Sequence, residues 1–544
     1  MDLLKPLELE NDSLDWTGRY RNADVWEVLN AARDGDVDKL QDLIAREQSI
    51  VNAQFWYVSP LHFAVREGHL PAVELLVENG ADLTSQTLYG GENFLQVAMD
   101  RGREEVATYL RRVFKEQIAS DGTSHEIHHA AAEGDIETIA GILQKDHSQI
   151  NVGDPMGRRP LHYAIENQHT ELINFLLANG ADPDALGFSS DNRLGGYGFR
   201  AVATALWRHL YWRQRNDYTT ARLLLEHGAE YSMTIAAALG DEDRVRELLS
   251  KDRNYANHQE PGGKRAISAA AERNHRNIVK RLLDAGADPN LQEGPNCPGG
   301  YALWAASHLG FRDIAEMLLE SGADPNAPVE SSGNPTESAA DSEMRTLLYL
   351  YGGRVSLSAH FHQGNIDTIA SLLVAAPEIF DGITATEGFT HCVSSSHGDI
   401  VKLLLAHGIR VPPQVTYCQT YLWQNLELTR LLLENGMDPN LPNWQQIRPL
   451  HHMGRRGEVD AARLFIEFGA DPGVIDEEYR TTPLGWAARC GQTGYAQFLL
   501  QRFPEWKTHH PPDMPEWSQP MQWAQRRNHA EIIKLLSSAY SNAF

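Results

Sequence analysis

Two short phrases recur along this chain at a fixed distance from each other, and no other feature restricts the possible fold as strongly. The first reads LLANGADPD at 176–184 and returns as LLVENGADL (75–83), LLDAGADPN (282–290), LLESGADPN (318–326), LLENGMDPN (432–440) and FIEFGADPG (465–473). The second lies about fifteen residues upstream and reads SPLHFAVREGH (59–69), RPLHYAIENQH (159–169), YALWAASHLGF (301–311), RPLHHMGRRGE (448–458) and TPLGWAARCGQ (482–492). Tandem units of one kind therefore make up most of the 544 residues.

Each unit is predicted to be a pair of helices. Pro160 fits the first turn of a short helix, where the missing N–H costs nothing. The second helix shows apolar spacing at Leu172, Ile173 and Leu176, and Gly180 can supply the left-handed conformation that ends it. The Asp-Pro-Asn step that follows in several copies predicts a turn into an extended finger that leads to the next unit.

This pattern, TPLHxA followed by GH and LLxxGADPN with a period of about 33 residues, resembles the ankyrin repeat. The resemblance covers about sixteen units from near Val25 to near Ser538, and it is weakest at 334–353. It implies an all-α solenoid of helix-turn-helix units with finger-like loops, whose inner helices and finger tips form a concave surface. It also implies that the chain binds another protein or peptide on this concave surface and is not an enzyme.

A second subtype of the repeat carries a Gly-Asp or Gly-Asn step at Gly35, Gly134, Gly240 and Gly364, and it predicts two or three sub-arrays. The predicted divisions are an N-terminal cap (1–24), a first block (25–118), central blocks with an enlarged finger and helix at 185–218 (119–353), a C-terminal block (354–503), and an enlarged finger with a capping repeat (504–544).

The net charge of −25 disfavours nucleic acids and anionic membrane surfaces as partners, because both require a surplus of lysine and arginine. No apolar run reaches the length of about 18–20 residues that a membrane span needs. The start of the chain lacks a basic region followed by an apolar core, so we expect no signal peptide. Four widely spaced cysteines favour a reducing, intracellular and cytoplasmic setting. We expect no cofactor.

Residues 125–129 read HEIHH and match the zinc-protease motif H-E-x-x-H. In register with the other units, His128 takes the place of His62, His162 and His451, a histidine that is structural in the ankyrin pattern. The repeat explains every residue of the motif except His125 and His129. We therefore predict no metal site, and these two histidines are the only candidates for one.

Aromatic residues occupy two predicted finger tips where polar residues would suffice. Phe55, Trp56 and Tyr57 form one tip, and Trp444 lies in the other. Exposed aromatic side chains anchor partners by burying a large area at low entropic cost. The alternative for the first tip is that its rings fold back over the N-terminal cap.

The stretch 185–218 combines a long finger with an extended inner helix. The candidate contact residues there are Trp207, Arg208, Tyr211, Trp212 and Arg213, some of which must pack internally. This stretch also motivates the main rival function, an enzyme or small-ligand-binding protein that uses a groove near the insertion. No convergent catalytic group supports that rival.

The last three units carry arginines before the break between their helices, and we call this set the arginine ladder: Arg455, Arg456, Arg489, Arg526 and Arg527. Equivalent positions of stacked helices lie about 10 Å apart. The ladder could receive an acidic peptide, a carboxylate or a phosphate. The alternative is that its arginines pair with nearby acids such as Glu458, Glu477 and Glu478.

Overall fold

The computed structural model describes residues 3–15, 19–83, 87, 92–118, 120, 125–155, 157–187, 199–207, 218–293, 300–329, 333–380 and 383–538. Two compact units divide the chain. We call Leu9–Arg354 the N-terminal unit, and Val355–Phe544 together with Met1–Glu8 the C-terminal unit.

The elements of the N-terminal unit are mainly helices that follow one another in pairs. They are α1 (Asn22–Asp34), α2 (Val37–Arg46), α3 (Pro60–Glu67), α4 (Leu70–Glu78), α5 (Phe94–Asp100), α6 (Glu104–Ile118), α7 (Glu126–Glu133), α8 (Ile136–Lys145), α9 (Pro160–Glu166), α10 (Thr170–Ala178), α11 (Ala201–Leu206), α12 (Tyr218–Glu226), α13 (Met233–Leu239), α14 (Glu242–Lys251), α15 (Ala266–Ala271), α16 (Arg276–Asp284), α17 (Tyr301–His308), α18 (Arg312–Glu320) and α19 (Ser342–Leu350). Strands β1 (Leu186–Gly187) and β2 (Phe199–Arg200) pair antiparallel, with Leu186 opposite Arg200. Short 3₁₀ helices lie at Gln48–Asn52, His147–Asn151 and Arg253–Asn257.

The C-terminal unit repeats the same plan. Its helices are α20 (Leu357–His362), α21 (Ile366–Ala375), α22 (Ile383–Ser394), α23 (Gly398–Ala406), α24 (Gln419–Gln424), α25 (Leu426–Glu434), α26 (Pro449–Arg456), α27 (Val459–Glu467), α28 (Pro483–Cys490), α29 (Thr493–Arg502), α30 (Pro520–Arg526) and α31 (Ala530–Ser537). Its 3₁₀ helices lie at Pro377–Phe380, Pro413–Tyr417, Pro504–Lys507 and Glu516–Ser518, and one at Leu7–Leu9 spans the boundary between the two units.

The core lies between the two layers of helices. In the repeat of α9 and α10, Leu161, Leu172 and Leu176 are at most 1% exposed. Burying one such side chain stabilises the fold by about 1.5–3 kcal/mol. A single helix pair cannot cover its own apolar face, so inner helices pack on inner helices, as α7 does on α9 and α26 on α28. The predicted all-α repeat architecture is confirmed.

Side chains of the repeated phrases connect successive repeats. Asn440, the last residue of one Asp-Pro-Asn step, donates through Nδ2 to the Gly469 carbonyl at 2.8 Å, and its Oδ1 accepts from the Asp471 amide at 2.8 Å. His169 Nε2 donates to the Ala132 carbonyl at 2.9 Å. Only glycine fits at position 134, because its φ is +78° and a Cβ there would lie 2.7 Å from the His169 ring.

The repeat is modified at the weakest unit, 334–353. A turn at 335–338 stands in place of the inner helix, and α19 supplies the outer one. Trp304 of the preceding repeat donates through Nε1 to Ser338 Oγ at 3.0 Å. This indole bridges the place where helix–helix packing is missing.

Candidate functional site

The HEIHH segment forms the start of α7, and backbone groups hold its central histidine. The His125 amide donates to His128 Nδ1 at 3.0 Å, and His128 Nε2 donates to the Val152 carbonyl at 3.0 Å. Burial lowers the pKa of His128, which keeps the ring neutral. His129 is exposed. Among the described residues, no three His, Cys, Asp or Glu side chains converge as metal ligands would.

The first aromatic finger tip is a two-residue hairpin turn. Phe55 and Val58 exchange backbone hydrogen bonds of 3.1 Å, and the two residues between them have φ angles of +49° at Trp56 and +62° at Tyr57. Phe55 is buried, Tyr57 is partly buried, and the Trp56 side chain is 51% exposed. The Trp56 ring is therefore exposed at the tip, whereas the Phe55 ring is packed against the protein.

Trp444 lies in a different environment, although it too is at a finger tip. Its side chain is 6% exposed. The Leu4 amide donates to the Trp444 carbonyl at 2.9 Å, and Leu3 is also buried. These contacts lie within the C-terminal unit, to which Met1–Glu8 belongs. Burial gives Trp444 a packing role in this structure.

Of the candidate residues in the 185–218 insertion, Trp207 is described, whereas Arg208, Tyr211, Trp212 and Arg213 lie outside the described residues. Trp207 Nε1 donates to Glu272 Oε1 at 2.6 Å. The inner helix between them, α13, contributes Ala236, Ala237 and Ala238, all buried. We attribute the reach of the indole across this repeat to these small side chains.

Glu272 lies at the centre of a buried polar network. Its Oε2 is 2.7 Å from Lys264 Nζ, which lies 4.0 Å from the centre of the Tyr301 ring. Arg273 also bonds to Glu272 and donates to the Leu206 carbonyl at 2.8 Å. Burial acts to raise the pKa of Glu272, but Lys264 and Arg273 outweigh it, and the pKa is lowered. The charged groups of this network thus pair with one another.

The arginine ladder holds equivalent positions on successive inner helices. Gln492 Nε2 donates to the Arg455 carbonyl at 3.0 Å, and His529 Nε2 donates to the Arg489 carbonyl at 3.1 Å. Arg455 and Arg527 are partly exposed, Arg456 and Arg526 are exposed, and Arg489 is only 4% exposed. Arg456 Nε lies 3.6 Å from Glu458 Oε1.

Aromatic rings surround the buried member of the ladder. The guanidinium carbon of Arg489 lies 4.0 Å from the centre of the Tyr479 ring and 5.4 Å from that of Trp523. Trp486 packs edge-on against Tyr479 at 5.0 Å. Arg526 lies 5.2 Å from the Trp523 ring and 5.9 Å from Trp517. Cations and rings therefore alternate along this face.

Sequence reasoning missed the rings that hold Arg489. A signal existed, because Trp486 and Trp523 lie three residues after the first proline of their inner helices, Pro483 and Pro520. His452 holds the same position after Pro449. Tyr479 had no comparable signal, since it lies in a finger whose path the repeat does not specify.

Three acids of the finger at 474–482 are buried beside these rings. Asp476 Oδ2 accepts from Trp486 Nε1 at 2.8 Å, and Glu478 Oε2 accepts from Gln445 Nε2 at 2.8 Å. Glu477 lies 3.8 Å from Arg480. Burial raises the pKa of Asp476 to about 7. These carboxylates hold their own finger and its neighbour together.

Chemically, paired helices joined by finger loops define a helical repeat scaffold with cations and rings on its inner helices. A family model for ankyrin repeats in three copies matches residues 28–121, 115–187, 233–329 and 418–513, more than half of the chain. The chain belongs to the ankyrin-repeat family.

Known proteins resemble the chain in part. Ankyrin repeat protein nuc-2 of Neurospora crassa is 23% identical over 296 residues, which is 50% of this chain and 26% of that protein. The E3 ubiquitin-protein ligase XBAT32 of Arabidopsis thaliana is 28% identical over 186 residues, 28% of this chain and 36% of its own length. The chain therefore spans well under half of these relatives. The solved ankyrin repeat domain of Bcl-3 aligns with 42% of this chain and 98% of its own length, at 20% identity and a TM-score of 0.23.

Ankyrin-repeat proteins generally mediate protein–protein interactions and are generally not enzymes. Over the described part of the chain, every helix is too short or too polar to cross a lipid bilayer.

Proposed function

We propose that this protein is a non-catalytic interaction scaffold that binds a protein or peptide partner, and that Trp56 anchors this partner. The observation that carries the proposal is the exposed indole on a strained finger tip. A hairpin of this kind needs positive φ at both central residues, a requirement that Asn-Gly meets at little cost. A non-glycine residue in that conformation costs about 1–2 kcal/mol.

The strain points to a use for the aromatic side chains, because Trp56 remains 51% exposed although its ring lies edge-on to that of Phe55 at 6.5 Å. Elsewhere in the N-terminal unit, the finger at 260–264 meets the same backbone requirement with Gly262 and Gly263. Strained residues of this kind cluster at functional sites. Tryptophan is also enriched among the residues that dominate binding energy at protein interfaces.

We further propose that the partner carries acidic groups and meets the arginine ladder. The location we propose is intracellular, which the free thiols of Cys392, Cys418 and Cys490 support. The rival function near 185–218 gains no support from Trp207, because that indole already donates to Glu272.

The test replaces Trp56 with alanine and compares partner recovery by quantitative affinity capture of the full-length chain. Tyr349→Ala is the matched control, because Tyr349 is 50% exposed on the outer helix α19 and Trp56 is 51% exposed. We expect Trp56→Ala to lower recovery of the main partner at least about tenfold, the effect of losing a dominant interface residue. Tyr349→Ala should leave recovery unchanged.

A second variant separates binding from folding. Replacing Trp56-Tyr57 with Asn-Gly removes the backbone strain, so we expect the finger to become more stable by about 1–2 kcal/mol while the partner is lost. Hydrogen exchange of residues 52–62 measures the stability. Partner recovery at the wild-type level by both variants would refute the role of Trp56.

A further inference from the structure

We propose that four members of the arginine ladder, Arg455, Arg489, Arg526 and Arg527, form a site for an oxyanion, a carboxylate or a phosphate, that is carried by an extended peptide. Arg455 and Arg489 contact the oxyanion, and Arg526 and Arg527 extend the positive surface to the next repeat. The inference rests on the proposed function, because it names the chemistry that a partner must present. It uses a surface other than the finger tip at Trp56.

The arginines of successive inner helices share a common register. The carbonyl oxygens of Arg455 and Arg489 accept equivalent hydrogen bonds from the outer helices of the following repeats, at 3.0 and 3.1 Å. Both side chains therefore start from the same point of their inner helices. A peptide that runs along these helices would meet one guanidinium in each repeat that it crosses.

Arg489 is held in place before any ligand binds. Its guanidinium carbon lies 4.0 Å from the centre of the Tyr479 ring and 5.4 Å from that of Trp523, and these two rings are nearly perpendicular to each other, at 82°. Such ring contacts restrict the orientation of the guanidinium group, and oxyanions bind to the N–H groups along its edge. A fixed fork loses less entropy when it binds a carboxylate or phosphate.

The Nε–H group of Arg455 is a buried hydrogen-bond donor. Among the described residues, its buried Nε has no hydrogen-bond partner. A buried N–H group without an acceptor destabilises the protein, and such groups are rare in native structures. An oxyanion at this point would supply the acceptor.

The positive charges of the ladder repel one another. Burial lowers the pKa of Arg489 to about 10, and Arg527 contributes in the same direction. Burial likewise lowers the pKa of His452, and Arg455 and Arg456 lower it further. Like charges therefore act on one another across α26, α28 and α30. A bound anion relieves this repulsion, which gives the site its preference for negative ligands.

The acids of the neighbouring finger have structural roles of their own. Asp476 accepts from Trp486 Nε1 at 2.8 Å and from the Thr481 amide at 3.2 Å. Glu478 accepts from Gln445 at 2.8 Å. These bonds orient the finger that carries Tyr479 and thereby place one ring of the Arg489 stack.

The test uses fluorescence anisotropy with the full-length chain and a fluorescein-labelled hexaglutamate peptide. A hexaglutamine peptide with the same label measures binding that needs no charge. The decisive variant is Arg455→Gln, because Arg455 is partly exposed and its loss leaves the buried stack intact. Arg456→Gln is the matched control, since it removes the same charge from the adjacent position of the same helix.

We expect Arg455→Gln to weaken hexaglutamate binding about tenfold, as the loss of a charge-assisted hydrogen bond predicts, and Arg456→Gln to weaken it less than about twofold. A peptide with two phosphoserines in place of glutamates identifies the preferred oxyanion, and tight binding of either peptide supports the site. Equal losses in the two variants, or equal binding of hexaglutamate and hexaglutamine with no binding of the phosphopeptide, would overturn it. Trp56→Ala should leave hexaglutamate binding unchanged, so failure of one proposal is distinguishable from failure of the other.

Discussion

The first three and the last three repeats carry arginines at the same register positions, yet their surroundings differ. In the N-terminal unit the two residues before the helix break are Arg33-Asp34, Arg66-Glu67 and Asp100-Arg101. In the C-terminal unit they are Arg455-Arg456, Arg489-Cys490 and Arg526-Arg527. Within these pairs, every arginine of the first set has an acid as its neighbour in sequence, and no arginine of the second set does.

The structure shows what this difference does to the buried arginine of each set. Arg66 is fully buried, and its Nε lies 2.8 Å from Glu67, which also lies 3.8 Å from Arg101 and 3.9 Å from Arg103. Arg489 is almost as buried, and its guanidinium group lies against the rings of Tyr479 and Trp523. The guanidinium group of Arg66 also lies 4.6 Å from the centre of the Phe63 ring, so the close carboxylate of Glu67 is what distinguishes the surroundings of Arg66 from the ring contacts described for Arg489. The same register position thus has different neighbours in the two units, and we propose that it serves folding in the first set and binding in the second.

The largest expected effect comes from removing the acid of the first set. Glu67→Gln leaves the buried Arg66 charge without its carboxylate, so we expect a local loss of about 3 kcal/mol of stability. Hydrogen exchange of residues 60–78 in the full-length chain measures it, because repeat arrays open locally.

Arg489→Met is the counterpart in the second set. The substitution preserves the volume of the side chain. It removes the cation–ring attraction but also removes the cost of burying a charge, so we expect the local free energy of unfolding of residues 483–502 to change by no more than about 1 kcal/mol. Equal losses in the two variants would break the comparison.

An intermediate effect is expected from pH at the finger that supports the Arg489 stack. The pKa of Asp476 is raised to about 7, so its contribution to stability is complete below the unfolded value and is lost as pH rises through 7. Between pH 6 and 8, we expect α28 to lose about 1.4 kcal/mol relative to the Asp476→Asn variant. Hydrogen exchange of residues 474–490 measures this difference.

The comparison with the variant is needed because buried histidines act in the opposite sense. Burial lowers the pKa of His451 to about 3, so its contribution is present above its unfolded pKa and is lost as pH falls. The contribution of His451 is the same in the wild-type protein and in the Asp476→Asn variant. Identical pH profiles for wild type and Asp476→Asn would show that the titration of Asp476 does not affect the stability of α28. Exchange of residues 60–78 serves as the reference within the same molecule.

The smallest effect is expected at Arg456, one of the two exposed members of the ladder. Arg456 lies 3.6 Å from Glu458, and its side chain is 33% exposed. Surface pairs of this kind contribute little, so we expect Arg456→Gln to change the stability of α26 by less than about 0.5 kcal/mol. A larger loss, measured by hydrogen exchange of residues 449–467, would mean that the ladder is a structural network.

Much of the fold could be predicted because its signals are local. Pro160 at the start of an inner helix, Gly134 in the left-handed conformation and Asn440 at a finger each act within a few residues or on the adjacent repeat. The same register explained His128 in advance, and the structure places both of its ring nitrogens on backbone groups.

The candidate site was less predictable because burial depends on neighbours that the repeat does not specify. In the sequence, Trp56 and Trp444 both occupy predicted finger tips. In the structure, Trp56 is 51% exposed and Trp444 is 6% exposed. The segment that reaches Trp444 comes from Leu4, hundreds of residues away in sequence. The rings around Arg489 likewise come from a finger and from the next repeat.

Turn chemistry and apolar spacing act over short distances, so the repeat and its helix pairs, with the positions of arginines and aromatic residues on them, can be predicted from the sequence alone. Whether each of those side chains contacts an acid, a ring or solvent depends on the three-dimensional packing. The reason is that packing between repeats and fingers sets the exposure and the charge environment of a residue, and no local pattern encodes that packing.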